Sequence, residues 1–169
     1  MSAAEKAWIG LGSNIQGPVA NVQAGLDALA ALALTDLVRA STLYRNPPMG
    51  PADQPDYVNA VAELVTWLTP RELLRECHAI ESRFGRERGG QRWGPRPLDL
   101  DILIYGNHWF QETDLRIPHP GVPERAFVLY PLAEIAPTLE IPGHGRADTL
   151  AVALDAGDLE PIPAPDADG

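Results

Sequence analysis

Lysine is nearly missing from this chain: Lys6 is the only one among 13 basic residues, and the rest are arginine. No G-x-x-x-x-G-K-[ST] occurs, so a P-loop kinase, whose lysine reaches the β- and γ-phosphates, is excluded. Cysteine is equally scarce. Cys77 stands alone, which rules out an internal disulfide and fits a reducing compartment. No apolar run approaches the length that spans a bilayer, and "MSAAEKAWIG" has no apolar signal core. The expectation is a soluble, cytoplasmic chain with no membrane partner. An excess of basic charge is also lacking. With 23 acidic residues the net charge is −10, which disfavours a nucleic-acid partner, since such proteins show a broad basic face.

The positive charge that exists is concentrated. Arg83, Arg86, Arg88, Arg92 and Arg96 fall within 14 positions beside one acid, Glu87. Glycines at 85, 89, 90 and 94 loosen that stretch. It reads as a solvated turn or as a lid that closes on an anionic substrate.

Periodicity supplies the framework. "KAWIGLG" is a buried-strand pattern ending at the Gly10 and Gly12 punctuation. A helix runs from Pro18, with Val19, Val22, Leu26, Leu29 and Leu32 at helical spacing. Residues 37–45 alternate as a strand. "NPPMGPADQPD" (46–56), with four prolines and one glycine, is a loop long enough to be functional. Strand resumes over 57–68. "TPRE" (69–72) is a capping box with proline at the first helical position, opening a helix to about Phe84. A strand over 98–105 completes β-α-β-β-α-β, an α+β ferredoxin-like sandwich. Additional C-terminal elements are expected: a hairpin or loop over "GNHWFQETDLRIPHP", a helix broken at Pro131, and a short helix in "ADTLAVALDAG". One domain is expected over 1–157, with 158–169 a Pro/Asp-rich tail lacking fixed structure.

Within "RWGPRPLDLDILIY" two acids interrupt a core-like run. Strand alternation puts Asp99, Asp101, Leu103 and Tyr105 on one side, and Leu98, Leu100, Ile102 and Ile104 on the other. Carboxylates ~5 Å apart at an effective dielectric of ~20 repel by roughly 3 kcal/mol. Either Arg92 or Arg96 folds back as a salt bridge, or a hard divalent cation sits between them. All-oxygen ligands favour Mg²⁺ or Mn²⁺ over zinc, and arginine forks beside such a cation suit a polyphosphate. "GLGSNI" opens like a dinucleotide fingerprint, but Ile15 occupies the third glycine position. It reads better as a tight turn with Ser13 or Asn14 satisfying backbone groups. Tyr57 and Asn59 share one face of their strand. With Trp93 and Phe127 they form a set able to stack on a flat heterocycle and read its polar edge. An RNA-recognition module shares the element order, yet its aromatic signature string is missing.

"GLGSN", "YRNPPMGPADQPDYVNAV", "RWGPRPLDLDILIYG" and "IPHPGVPERAFVLYPLAEIAP", in this order over residues 7 to 140, resemble the 6-hydroxymethyl-7,8-dihydropterin pyrophosphokinases of folate biosynthesis. The resemblance implies transfer of the β,γ-pyrophosphoryl group of ATP to the pterin hydroxymethyl oxygen, with release of AMP. It implies two Mg²⁺ ions on Asp99 and Asp101, with Arg86 and Arg96 stabilising the transferring charge. Glu81, Arg88, Arg92, Ile102, His119 and Arg125 would contact ATP. Pro47, Met49, Tyr57, Asn59, Trp93 and Phe127 would hold the pterin. Asn46 departs from the threonine common there. The expected partners are the two small substrates, and the expected state is a monomer. A catalytically idle pterin- or nucleotide-binding relative is the competing reading; it would require loss of the acids or arginines, and both are present.

Overall fold

The computed structural model describes residues 3–15, 17–47, 56–85 and 97–163. Its first part runs β1 (Glu5–Ser13), α1 (Pro18–Ala30), β2 (Thr35–Ala40), β3 (Leu43–Asn46), β4 (Tyr57–Thr66), α2 (Pro70–Arg83) and β5 (Asp99–Tyr105). The strands pair antiparallel in the order β3-β4-β1-β5, and β2 also pairs with β4. This is the ferredoxin-like α+β sandwich. The strand expected over 37–45 is two strands, because the chain breaks step at Ser41. There the Ser41 N–H donates to the Val61 carbonyl at 2.8 Å, and the Val61 N–H donates to Ser41 Oγ at 2.9 Å. A side-chain oxygen thus replaces one rung of the ladder.

Alternation divides the sheet into two faces. Ala7, Ile9 and Leu11 of β1, Val58, Ala60, Ala62 and Leu64 of β4, and Leu98, Leu100 and Ile102 by β5 pack under α1 and α2. Val22 and Leu29 of α1, and Leu73, Cys77 and Ile80 of α2, face them. The capping box forms as the sequence implies. Thr69 Oγ1 accepts from the Glu72 N–H at 3.1 Å, and Glu72 Oε1 accepts from the Thr69 N–H at 2.9 Å. It sets the start of α2 and hence the register of its buried stripe.

The C-terminal elements cover part of the opposite face. β6 (Phe110–Glu112) and β7 (Leu115–Ile117) form a hairpin, then come α3 (Ala126–Ile135), a small ribbon of β8 (Glu140–Ile141) and β9 (Gly145–Arg146), α4 (Ala147–Ala153) and β10 (Glu160–Ile162). Val128, Leu129, Leu132 and Ile135 of α3 bury Trp8, Val61, Leu103 and Ile104. Three expectations fail here. α3 is not broken at Pro131 but continues through it to Ile135. Pro131 is the sixth residue of the helix, so its missing N–H removes one bond to the Phe127 carbonyl, and burial of the ring on the sheet offsets that loss. The C-terminal segment is not structureless from 158, since Glu160–Ile162 pair with Leu43–Arg45 and cover the edge of β3. The glycines of β1 are not punctuation, since the strand runs through both to Ser13.

Two outcomes are expected. Ile80, fully buried between α2 and the sheet, should cost about 2–5 kcal/mol when cut to alanine, measured by denaturant titration. Burial, with Glu81 and Asp101 adding repulsion, pushes the Cys77 thiol up to about 12. A thiol reagent at pH 8 should therefore leave the native protein untouched and label it fully in denaturant.

Candidate active site

The face of the sheet opposite α1 and α2 holds the predicted site. Tyr57 and Asn59 of β4 point to it, because their neighbours Val58 and Ala60 are in the helix-side core. Asp99 and Asp101 of β5 point to it for the same reason, flanked by Leu98, Leu100 and Ile102. Between them runs β1, whose residues on this face are Gly10 and Gly12 here and Trp8 further along, under α3. Register places Gly12 opposite Asn59 on one side and Asp99 on the other, and Gly10 opposite Asp101. Strands ~4.8 Å apart put Asn59 and Asp99 about 10 Å apart at Cα across a bare strand.

Those glycines were missed as functional residues. A Cβ on Gly12 would lie 2.8 Å from Asn59 Oδ1, and one on Gly10 would lie 3.3 Å from a Leu103 methyl. The available signal was their spacing of two, which in a strand puts both on one face.

The acids behave as expected up to Leu103, where alternation fails. Ile9 pairs with Ile102 but Trp8 pairs with Ile104, so Leu103 is the extra residue of a bulge. Leu103 and Ile104 both pack on the α3 side, and Tyr105 turns to the helix-side core. The expected grouping of Tyr105 with the acids, and of Ile104 away from them, is therefore reversed. The bulge has a use, because the Leu103 carbonyl accepts the backbone N–H of His119 at 2.8 Å. That bond brings the "PHPG" turn to the acid strand.

His119 is half-buried there. Its Nδ1 accepts from the Gly121 N–H at 3.0 Å, which leaves Nε2 to carry the proton of the neutral ring. Burial holds its pKa below the ordinary imidazole value; Asp101 opposes that shift and Arg125 reinforces it. Arg125, at the start of α3, lies across Gly121, where a Cβ would sit 2.8 Å from its Nε, and its guanidinium carbon is 5.9 Å from the centre of the Phe127 ring. His119 thus lies beside Asp101, with Arg125 next to it and Phe127 next to Arg125.

Glu81 and Ile102 are placed differently. Ile102 sits in the helix-side core, so its side chain is turned from the acids. Glu81 reaches from α2 to β5, where Oε2 accepts the Leu100 N–H at 2.8 Å. Leu100 stands between the two acids, so Glu81 fixes the backbone that carries them. Pro47 is exposed at the end of β3. Met49, Arg86, Arg88, Arg92, Trp93 and Arg96 lie outside the described residues.

Among the described residues no group of three or more His, Cys, Asp or Glu side chains could form an all-protein metal cage. Two carboxylates on a strand, Asp101 exposed and Asp99 half-exposed, suit instead a cation that keeps water and substrate oxygens as its other ligands. That is the usual mode of Mg²⁺.

The fold recurs in solved structures. A Plasmodium falciparum HPPK-DHPS chain with pteroate superimposes with a TM-score of 0.73 at 12% identity, over 90% of this chain and 45% of that one. A triple mutant of the same protein with SDX-DHP gives 0.73 at 15% identity, over 90% and 44%. This chain therefore spans under half the length of those chains. The sequence is more specific than the fold. The profile of the 7,8-dihydro-6-hydroxymethylpterin-pyrophosphokinase (HPPK) family matches residues 8–137, and the chain belongs to that family. A 2-amino-4-hydroxy-6-hydroxymethyldihydropteridine pyrophosphokinase of Pseudomonas aeruginosa is 45% identical over 159 residues, 94% of this chain and 98% of the relative. The Haemophilus influenzae protein of the same name is 51% identical over 136 residues, 80% of this chain and 84% of the relative. A folate synthesis bifunctional protein of Arabidopsis thaliana is 42% identical over 81% of this chain and 28% of its own length.

The imidazole of His119 should titrate with a midpoint below about 6.5, followed by its ring carbon proton in an NMR pH series. A midpoint at or above that value would contradict the half-buried, neutral ring.

Proposed function

We propose that this chain is an active, Mg²⁺-dependent member of its family, with Asp99 and Asp101 as the metal ligands. The family reaction is pyrophosphoryl transfer from ATP to 6-hydroxymethyl-7,8-dihydropterin in folate biosynthesis. The observation that carries the metal reading is the in-register row of Asn59, Gly12 and Asp99, with Asp101 beside Gly10. It sets the nearer of two oxygen ligands about 10 Å from an amide suited to a heterocycle, across a strand with no side chain in between.

Bound there, Mg²⁺ would neutralise the triphosphate and favour an in-line approach of the hydroxymethyl oxygen. The chain's own residues do the positioning. Tyr57 and Phe127 would hold the pterin ring between them, with Trp93 closing over it and Asn59 reading its edge. Pro47 and Met49 would contribute backbone contacts. His119 and Arg125 would bind phosphate oxygens, the first as a neutral donor and the second as a fork. Arg88 and Arg92 would hold the nucleotide. Arg86 and Arg96 would meet the charge that develops on the transferring group. Ile102 could meet the nucleotide only through its backbone, and Glu81 serves by bracing Leu100. The chain is read as a cytoplasmic monomer without a nucleic-acid partner; no helix among the described residues is long and apolar enough to cross a membrane.

With ATP, Mg²⁺ and the pterin, the nucleotide product should be AMP, resolved from ADP by ion-exchange chromatography. The Asp99→Asn/Asp101→Asn double variant should lose at least about 10³-fold in rate, equivalent to about 4 kcal/mol. ADP as product, or an undiminished double variant, would refute the assignment. Arg96→Ala should lower kcat by about 10²-fold or more with KM little changed, as for a contact made in the transition state.

A further inference from the structure

Asn46 ends β3, two positions beyond Tyr44, which pairs with Asn59. Both asparagines are buried, Asn46 at 8% and Asn59 at 5% exposure. Buried amides need partners for their donors and acceptors, and one chain of hydrogen bonds meets part of that need here. Asn46 Nδ2 donates to the Pro47 carbonyl at 3.1 Å, and Asn59 Nδ2 donates to Asn46 Oδ1.

The polarity of that chain has a single origin. A backbone carbonyl only accepts, so the Asn46 atom facing Pro47 has to be its NH₂ group. The oxygen of Asn46 then faces Asn59, and Asn59 has to turn its own NH₂ group toward it. The consequence falls on the other end of the Asn59 amide. Its Oδ1 is directed over Gly12, 2.8 Å from where a Cβ would stand, on the side of the acid row. Any side chain at position 12 would push the oxygen away.

We infer that Asn46 is a positioning residue that sets substrate specificity: through Asn59 it presents an acceptor, held over Gly12, to the ring that binds there. This rests on the reading of Asn59 as a pterin contact. A 2-amino-4-oxo pteridine carries a donor at ring N3 beside an acceptor at the 4-oxygen. The fixed Oδ1 and the second N–H of Asn59 match that pair. A 2,4-diamino pteridine reverses it, with a lone pair at N3 and an amino group at position 4. An amide free to rotate would turn over and accept either; an amide held by Asn46 rejects the second, because its oxygen would face a lone pair.

The test is equilibrium binding to the full chain, with Mg²⁺ and a non-hydrolysable ATP analogue present, of 6-hydroxymethylpterin and of 2,4-diamino-6-hydroxymethylpteridine. The wild type should prefer the oxo compound by about 100-fold. Asn46→Ala should reduce that ratio at least about tenfold while the affinity for the ATP analogue stays within about twofold. Asn46→Asp, whose carboxylate still accepts from Asn59 Nδ2 but no longer donates to the Pro47 carbonyl, should keep Asn59 turned as it is and retain more of the ratio than Asn46→Ala. An undiminished ratio in Asn46→Ala, or a loss in Asn46→Asp as large as in Asn46→Ala, overturns the inference. Equal binding of both compounds by the wild type overturns it while leaving Asn59 as a pterin contact, whereas binding of neither removes that contact as well. Should Asn46→Ala not fold, the wild type still decides. A through-hydrogen-bond coupling from Asn59 Nδ2 to the Asn46 carboxamide carbon supports the relay, and its absence contradicts it.

Discussion

A strand that must stay bare governs this protein. β1 lies between β4 and β5 at the centre of the site, and on its outer face a Cβ at position 12 would displace Asn59 Oδ1 while one at position 10 would press on a Leu103 methyl. Because Gly12 carries no side chain, an amide on one neighbouring strand and a carboxylate on the other face each other across open backbone. The conformational entropy that two strand glycines lose on folding is a cost accepted for that geometry. Nearly all of the stabilising burial is placed elsewhere, under α1 and α2 on the far side and under α3 at one end of the near side.

The near face is thereby divided along its length. α3 seals the end around Trp8, Val61, Leu103 and Ile104, and the acids, Asn59 and Tyr57 occupy the other end. The bulge at Leu103 marks the boundary. It turns two successive apolar side chains into the α3 cluster and frees a carbonyl that anchors His119. One irregularity in β5 thus both closes the core and delivers a half-buried imidazole beside Asp101. Glu81 completes the support from the opposite side by bonding the backbone between the acids. In a chain of net charge −10, such clustered carboxylates are tolerable where cations gather, and the only dense basic stretch in the sequence runs up to this strand.

Much of this was legible before the fold was known. The Thr69–Glu72 capping box, the apolar spacing of α1 and the period-two pattern of β4 and β5 identified the elements and the face shared by Asp99 with Asp101 and by Tyr57 with Asn59. What escaped depends on partners distant in sequence. The bulge at Leu103 arises from pairing with β1, and simple alternation had no means of foretelling it. Pro131 looked like a helix end because its local cost is evident while the burial that offsets it is not. The short strand at Glu160–Ile162 forms because β3 has an edge to cover. Glu81 was placed near the nucleotide by resemblance alone; that it also accepts the Leu100 N–H and braces the acid strand depends on how α2 lies on β5.

The measurement closest to the centre of this picture is anomalous diffraction from crystals grown with Mn²⁺ in place of Mg²⁺ and a non-hydrolysable ATP analogue. The expected result is strong anomalous density between the carboxylates of Asp99 and Asp101, shared with triphosphate oxygens. Carboxylates bonded to arginine with no metal density between them, in crystals where the nucleotide is bound, would contradict it.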